Sequence, residues 1–322
     1  MMLPEVLESL SPVDGGVYVD GTFGAGGYTQ AILDAADCTV FAIDRDPDAK
    51  KRADAMNNDR LIFLRGCFGD VEQLLSDAGI DKVDGFVLDL GVSSFQFDEA
   101  ERGFSFRYDA PLDMRMDPEN GQSAAELIAD IEEEPLANLI YQYGEERKSR
   151  RIARKIIEAK GAAPIQTTFQ LAEIVRSCLP KPRGSKSGGK EIDPATRTFQ
   201  ALRIAVNDEL GELERALASA GNILKPDGKM VVVSFHSLED GMVKRFFRDR
   251  SGGQSVSRYQ PQIDQAPAKF ELISRKAVKP SKMETDENPR SRSARLRAAR
   301  YIGCEANRSE AKVCSQTKRG AS

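Results

Sequence analysis

The sequence has no tryptophan, a single histidine (His236) and five cysteines, none of which form a Cys-x-x-Cys pair. One histidine without clustered cysteines cannot provide the four nitrogen and sulfur ligands of a zinc site, so we expect no metal. Scattered cysteines also favour a reduced cytoplasmic chain over a disulfide scaffold. A Ser-His-Asp hydrolase would depend on His236, and the chain offers no Gly-x-Ser-x-Gly elbow to serve it.

Long hydrophobic runs are missing as well. The apolar stretches are a few residues long, such as 230–233, whereas a membrane span needs about 20 residues. Residues 1–10 include Glu5 and Glu8 but no basic side chain, unlike a secretory or transit peptide. We therefore expect a cytoplasmic protein that makes no membrane contact.

Excess positive charge is absent from the whole chain but not from its middle. Lys plus Arg is 46 and Asp plus Glu is 50, a net charge of −4, so the protein is not a basic nucleic-acid coat. Residues 81–140 carry 4 basic and 15 acidic side chains, whereas residues 141–203 carry 14 basic and 6 acidic ones. Such clusters can be solvated surface, but their concentration in an acidic protein favours phosphate contacts. The basic residues fall into three groups: Arg147, Lys148, Arg150, Arg151, Arg154 and Lys155; Lys181, Arg183, Lys186 and Lys190; and Arg290, Arg292, Arg295, Arg297 and Arg300.

Strands and helices alternate in the first third of the chain. Apolar runs at 17–19, 39–43, 61–64 and 86–88 predict strands, and helical spacing follows each of the first three. This alternation is typical of βαβ units and predicts an α/β fold with a doubly wound parallel sheet. Strand-like runs return at 229–235, 270–276 and 296–302, after a long helix over 197–220 and a turn at 225–228.

The middle of the chain has helical spacing throughout and no strand-like run, including a predicted helix over 145–160. We therefore expect a sheet domain formed by residues 1–102 and 209–303. It is interrupted by a helical insertion at 103–208, which we expect to bind the RNA substrate. Residues 304–322 are assigned to a tail.

A glycine-rich loop follows the first predicted strand, with the sequence DGTFGAGG at residues 20–27. It does not match the dinucleotide fingerprint Gly-x-Gly-x-x-Gly, because the sixth position counted from Gly24 is Thr29. Asp20 opens the loop, and a carboxylate there suits a ligand with a cationic end better than a pyrophosphate. S-adenosylmethionine has such an end, although the loop alone could also be a tight turn between strand and helix.

Two further aspartates lie at predicted strand ends, where ligands bind in open α/β sheets. Asp44 ends the second strand, and its carboxylate can accept hydrogen bonds from both ribose hydroxyls. Asp89 ends the fourth strand, and Phe68 follows the third, where its ring can stack on adenine. Single strand-end aspartates are often helix caps, but the combination predicts an S-adenosylmethionine site.

Residues 184–190, GSKSGGK, superficially resemble a phosphate-binding loop. The next residue is Glu191 instead of Ser or Thr, and no apolar strand precedes the segment. We interpret it as a basic loop without a nucleotide triphosphate.

Ten sequence blocks together resemble the bacterial RsmH (MraW) family, S-adenosylmethionine-dependent methyltransferases that modify N4 of a decoding-centre cytidine in 16S ribosomal RNA. The resemblance covers nearly the whole chain. Its blocks are residues 19–27 (VDGTFGAGG), 42–47 (AIDRDP), 88–94 (LDLGVSS), 101–106 (ERGFSF), 111–117 (PLDMRMD), 121–126 (GQSAAE), 143–147 (YGEER), 194–200 (PATRTFQ), 234–240 (SFHSLED) and 288–290 (NPR).

The resemblance implies a Rossmann-like class I methyltransferase sheet with an inserted helical domain, and 16S rRNA of the small ribosomal subunit as partner. It implies cofactor contacts at Gly26, Gly27, Tyr28, Asp44, Phe68, Asp89 and Gln96. Gln96 comes from the resemblance alone, and Tyr28 stands where the family usually has histidine.

The catalytic group is left open between Asp89 and His236. The lone pair of cytosine N4 is delocalised into the ring, so an acceptor for the amino hydrogens would assist the reaction. Asp89 could serve the amine or the cofactor, and the resemblance favours the cofactor. His236 could accept a proton or be a structural histidine, and a base is dispensable because N4 becomes acidic once methylated.

Two alternatives of other classes remain at this level. One is a methyltransferase that acts on DNA or on a small molecule. Comparing the activity on small-subunit RNA with the activity on DNA would distinguish it from an rRNA methyltransferase. The other is a cofactor-sensing RNA-binding module without catalysis, which turnover of S-adenosylmethionine would exclude. The sequence does not indicate an oligomeric state.

Overall fold

The computed structural model describes residues 1–178, 193–252 and 269–303. The loop at 184–190, the second basic group and the tail at 304–322 lie outside these residues. Seven strands are described: β1 (Val17–Asp20), β2 (Thr39–Asp44), β3 (Leu61–Arg65), β4 (Val83–Asp89), β5 (Leu224–Ser234), β6 (Phe270–Leu272) and β7 (Arg295–Tyr301).

All seven strands belong to one sheet in the order β3-β2-β1-β4-β5-β7-β6. The first five are parallel, and β7 is antiparallel to both of its neighbours. The chain runs outward from β1 to β3 and then returns to the other side of β1 with β4. This reversal between β1 and β4 is a topological switch point, where doubly wound sheets bind ligands. The predicted Rossmann-like class I sheet is confirmed.

The helices are α1 (Leu3–Leu10), α2 (Gly27–Ala35), α3 (Pro47–Ala55), α4 (Val71–Asp77), α5 (Ser94–Asp98), α6 (Ala124–Asp130), α7 (Glu133–Gly144), α8 (Ser149–Ala162), α9 (Thr168–Cys178), α10 (Thr196–Asn207), α11 (Glu209–Ile223), α12 (Ser237–Arg250) and α13 (Lys282–Glu287). Within the ranges that the structure describes, no helix is long and apolar enough to span a membrane.

The chain divides into two compact units. The sheet unit comprises Met1–Gly91 and Gly211–Ser322, and the helical unit is Val92–Leu210. The sequence-based boundaries were 102/103 and 208/209, so the first division falls eleven residues earlier than expected. The assignment of the helical unit to substrate recognition stays a prediction.

The central strand β4 explains the near-continuous apolar runs of the sheet unit. Phe86 and Leu88 are fully buried in one layer of the core, with side chains of α4 and α11. Val87 is buried in the opposite layer, with side chains of α1 and α2. A strand covered on both faces needs apolar side chains at successive positions, which is the pattern read from the sequence.

The helical unit has its own core, formed by residues four positions apart on neighbouring helices. Leu136 and Ile140 of α7 and Ile152 and Ile156 of α8 are all completely buried. Spacing of four places each pair on one face of its helix.

The prediction of one long helix over 197–220 is wrong, because the helix is interrupted at Asp208 and forms α10 and α11 instead. Asp208 adopts a left-handed conformation with φ of 49°. Asn207 before it is buried; its amide donates to the Met114 carbonyl (2.8 Å), and its oxygen accepts the Met116 N–H (2.7 Å). These contacts hold the end of α10 to a distant loop, which helical spacing cannot reveal.

Three other boundaries differ from the prediction. The helix expected over 145–160 begins at Ser149, so Arg147 and Lys148 precede it. The turn expected at 225–228 lies inside β5, where pairing with β4 shifts register and Asp227 has φ of 68°. The strand expected over 270–276 is only Phe270–Leu272.

Candidate functional site

The glycine loop, residues 20–27, is held from within by Asp20. This carboxylate is completely buried, accepts the Thr29 hydroxyl hydrogen at 2.8 Å, and accepts the Thr22 N–H at 3.2 Å. Asp20 therefore fastens the loop to α2 instead of facing a cationic ligand directly. Gly26 has φ of 79°, and a Cβ there would lie 2.9 Å from the Phe23 ring, so the turn requires glycine.

Burial raises the pKa of Asp20 from 3.8 to about 6, against the hydrogen bonds from Thr29 and Thr22. The folded protein then holds this proton more tightly than the unfolded chain. Its stabilising contribution is complete below about pH 4 and is lost as the pH rises through about 6. Asp20→Asn cannot ionise, so we expect its free energy of unfolding, relative to wild type, to rise by on the order of 3 kcal/mol between about pH 4 and 7.

Urea denaturation of both proteins at several pH values measures this difference. A difference that stays constant across the range would contradict the assignment of the proton to Asp20.

Asp44 lies at the end of β2 and contacts the glycine loop. Its Oδ2 accepts the Gly24 N–H at 2.8 Å, and its Oδ1 accepts the Asp46 N–H at 2.9 Å. Arg52 of α3 donates to the Gly24 carbonyl at 2.8 Å, which fixes the loop from the other side. Burial raises the pKa of Asp44, while the two N–H donors lower it. Each carboxylate oxygen has a second lone pair, so Asp44 can still accept two ligand hydroxyls.

Phe68 begins a short 3-10 turn, Phe68–Asp70, after β3. Its ring is half-buried, and a Cβ built on Gly21 would lie 3.3 Å from the Phe68 Cβ. The turn therefore lies directly beside the start of the glycine loop. An aromatic face in this position suits a planar ring such as adenine.

Asp89 ends β4 on the other side of the switch point. Its N–H donates to the Thr22 hydroxyl at 2.7 Å. Its Oδ2 lies 3.9 Å from the Met1 amine, whereas its buried Oδ1 has no hydrogen-bond partner among the residues that the structure describes. Burial raises the pKa of Asp89, and the amine opposes that rise. A buried acceptor without a donor is rare in proteins and fits a ligand that brings one.

Gly27 and Tyr28 open α2. Among the residues that the structure describes, no atom lies within 4 Å of a Cβ built on Gly27, which leaves room for a ligand. The Tyr28 ring is buried, and its hydroxyl donates to the Met1 carbonyl. These contacts leave the Tyr28 backbone, and not its side chain, as the group that could meet the cofactor.

Gln96 belongs to the helical unit, where it caps α5. Its Oε1 accepts the Ser93 N–H at 3.0 Å, and its own N–H donates to the Ser93 hydroxyl at 3.2 Å. Its cofactor contact stays a prediction from the family resemblance.

His236 caps the N-terminus of α12. Its Nδ1 accepts the Glu239 N–H at 3.5 Å, and its Nε2 lies 3.1 Å from the Glu239 carboxylate. Both residues are largely buried. Nδ1 therefore has a capping contact, whereas the buried Nε2 makes no hydrogen bond among the residues that the structure describes. The choice between a structural residue and a base stays a prediction.

Several residues of the first and third basic groups form local contacts. Arg150 donates to Asn138 at 2.7 Å, and Lys155 pairs with Glu158 at 2.6 Å. The remaining pairs are Arg154 with Glu133, Arg297 with Asp240, and Arg300 with Asp227 and Glu271. Arg154, Lys155, Arg297 and Arg300 are therefore already paired with acidic side chains, whereas the partner of Arg150 is a neutral amide.

Glu212 was missed by sequence reasoning. This acidic side chain is buried in α11 among the loops that follow β2 and β3. The sequence offered one indication of its burial: Glu212 directly precedes Leu213, which lies in the hydrophobic core on the same amphipathic helix.

Comparison with known proteins gives one family over nearly the whole chain. A family profile described as the MraW methylase family matches residues 1–302. Ribosomal RNA small subunit methyltransferase H of Granulibacter bethesdensis is 56% identical over 305 residues, covering 92% of this chain and 89% of the relative. The protein of the same name in Rhodospirillum rubrum is 54% identical, covering 92% of both chains.

Solved structures are more distant. A crystal structure of an rRNA methylase from Streptococcus thermophilus has a TM-score of 0.40 and 9% identity, covering 94% of this chain and 95% of that one. We draw no conclusion about function from a likeness of this size.

Proposed function

This chain belongs to the MraW methylase family, and we propose that it methylates N4 of a decoding-centre cytidine in 16S rRNA. It is a methyltransferase that uses S-adenosylmethionine, and its relatives are named for ribosomal RNA of the small subunit. The atom and the nucleotide rest on the resemblance of the ten sequence blocks. We also propose a cytoplasmic location, because the small ribosomal subunit that it would modify is a cytoplasmic particle.

The observation that carries the proposal is the group of side chains around the switch point. Asp44 would accept hydrogen bonds from the ribose hydroxyls, and Phe68 would stack on the adenine. The unpartnered Oδ1 of Asp89 would accept a hydrogen bond from the amino acid end of the cofactor or from the target amine. Gly26 and Gly27 would allow close approach at the loop, with Tyr28 contributing backbone; the contact of Gln96 rests on the family resemblance alone.

S-adenosylmethionine supplies an activated methyl group on its sulfonium. The protein contributes alignment, because transfer to an amine requires the acceptor in line with the breaking bond. Hydrogen bonds to Asp20, Asp44 and Arg52 hold the glycine loop that would contribute to this alignment. The proton released from N4 needs no dedicated base, although Asp89 and His236 remain candidates for one.

The helical unit is proposed to hold the RNA. Its support includes two exposed aromatic residues: the exposed fraction is 68% for Tyr108 and 38% for Phe169. Their segments are joined by the Thr168 N–H, which donates to the Ala110 carbonyl at 2.9 Å, and by the Thr168 hydroxyl, which donates to the Tyr108 carbonyl at 2.9 Å. Arg107, beside Tyr108, is also exposed. Exposed aromatic rings on joined backbone segments, with an arginine nearby, suit the unstacked bases of single-stranded RNA.

We expect Tyr108→Ala and Phe169→Ala each to raise the KM for RNA about 5- to 100-fold, because stacking contributes about 1–3 kcal/mol per base. Tyr108→Phe should retain wild-type KM, since the ring is kept. Tyr141→Ala is the control, because Tyr141 is a tyrosine of α7 with 57% exposure. Equal KM values for Tyr108→Ala, Phe169→Ala and Tyr141→Ala would remove these aromatics from RNA binding.

Mass spectrometry of small-subunit RNA tests the proposed function. The RNA is digested before and after incubation with the protein and S-adenosylmethionine, and a gain of one methyl group on one cytidine N4 is expected. DNA and RNA lacking the decoding centre serve as controls. Methylation of another atom, or of DNA alone, would overturn the proposal.

A further inference from the structure

The segments that follow Asp44 and Phe68 both contact one buried carboxylate, which lies on helix α11. Glu212 of α11 has a side chain only 6% exposed. Its Oε2 accepts the Gly69 N–H at 2.8 Å, and its Oε1 lies 3.5 Å from the guanidinium of Arg45. Arg45 directly follows Asp44, and Gly69 directly follows Phe68. The two side chains proposed to bind ribose and adenine are thus each one residue from a Glu212 contact.

Space around this carboxylate is tight. A Cβ built on Gly69 would lie 2.2 Å from the Glu212 Oε2, so no other residue fits without displacing the carboxylate. Arg215, one helical turn further along α11, contacts Oε1 at 2.8 Å. Burial raises the pKa of the neighbouring Cys67 thiol to about 11, which keeps it uncharged beside Glu212. The carboxylate therefore has two arginines, a backbone N–H and the Cys67 thiol as partners.

We propose that Glu212 is a positioning residue for S-adenosylmethionine, because its carboxylate fixes the ribose-binding and adenine-binding loops relative to each other. The inference rests on the proposed cofactor site. A residue that merely stabilises the fold would lower stability without a selective effect on cofactor binding. A positioning residue changes the KM for S-adenosylmethionine and couples energetically to the ring that it positions.

The test uses steady-state kinetics of the full chain with Glu212→Gln, below its unfolding temperature. The uncharged amide keeps the size of the side chain but is a weaker acceptor for Arg45 and the Gly69 N–H. We expect the KM for S-adenosylmethionine to rise about 10-fold, equivalent to the loss of one charge-assisted hydrogen bond. The kcat at saturating cofactor and the KM for RNA should stay within about 2-fold of wild type.

Two comparisons complete the test. Glu214→Gln on the same helix is the control, because Glu214 is exposed. Phe68→Ala is made in wild type and in Glu212→Gln; its effect on KM should be smaller in the second background, since the ring is already misplaced there. Additive effects, or an unchanged KM in Glu212→Gln, would overturn the positioning role. If Glu212→Gln does not fold, Gly69→Ala must raise the KM by displacing the carboxylate, and an unchanged KM there also overturns it.

Failure of this inference differs from failure of the cofactor site. If Asp44→Ala and Phe68→Ala both leave the affinity for S-adenosylmethionine unchanged, the site itself is wrong. If those two variants weaken binding and Glu212→Gln does not, only the positioning role is wrong.

Discussion

Asp44→Ala is expected to weaken S-adenosylmethionine binding by at least about 100-fold. Two ribose hydroxyls would lose a charged acceptor, and each such hydrogen bond contributes roughly 1.5–3 kcal/mol. The glycine loop would also lose the acceptor of the Gly24 N–H, so the loop that approaches the cofactor loosens at the same time. Isothermal titration calorimetry with S-adenosylmethionine measures the affinity directly.

Two variants separate the ribose contact from the loop. Asp44→Asn keeps one oxygen as acceptor, so its loss of affinity should be smaller. Arg52→Met frees the Gly24 carbonyl from α3 and leaves both N–H donors of Asp44 in place, although it also removes a cation that favours the charged carboxylate. A loss of less than about 10-fold is expected from one partly buried hydrogen bond. If Arg52→Met weakens binding as much as Asp44→Ala, loop order and not ribose recognition explains the effect; unchanged affinity in Asp44→Ala would refute the assignment altogether.

The positions of Asp44, Phe68 and Asp89 were predictable because each follows a short apolar strand. Parallel strands of a doubly wound sheet all end at one edge. Residues that follow such strands therefore lie near one another even when they are distant in sequence. The strand order and the antiparallel pairing of β7 with β5 and β6 were not part of the prediction. This part of the candidate site could therefore be predicted from local sequence patterns, because the fold brings the ends of the parallel strands together.

The role of Asp20 was not predictable in the same way. It is also a strand-end aspartate, yet it is completely buried and bound by Thr22 and Thr29, while Asp44 is only half-buried. The difference arises from how the loop folds back over each carboxylate, which strand spacing does not encode. Glu212 and the break at Asp208 share this property, since their partners lie far away in the chain.

Two of the sequence blocks that carry the family resemblance contact each other in the helical unit. Gly103, in the block ERGFSF, has φ of 72°. The loop that follows folds back on it: the Met114 N–H donates to the Arg102 carbonyl at 3.0 Å, and the Arg102 guanidinium donates to the Met116 carbonyl at 2.9 Å. The blocks ERGFSF and PLDMRMD are therefore two sides of one packed loop.

Gly103→Ala should destabilise the protein by about 3 kcal/mol or more. A Cβ at this position would lie 2.3 Å from the Pro111 carbonyl oxygen and 2.7 Å from the Asp113 nitrogen. Both are backbone atoms, so no side chain can rotate away to relieve the collision. The left-handed conformation adds a further cost of roughly 1–2 kcal/mol for a residue with a Cβ.

Gly121→Ala separates the two costs, because Gly121 has φ of 80° and no atom of the described part of the chain lies within 4 Å of a Cβ built on it. It carries the left-handed cost without the collision, so we expect a loss of only about 1–2 kcal/mol. Denaturant midpoints of wild type and the two variants give the comparison. Since Gly103 fixes the loop that connects the two blocks, rRNA methylation should fail for Gly103→Ala at temperatures where Gly121→Ala is still active. Equal destabilisation of both variants would mean that the loop at 111–113 shifts freely to accommodate the new Cβ. Packing between the two blocks would then not explain why glycine stands at position 103.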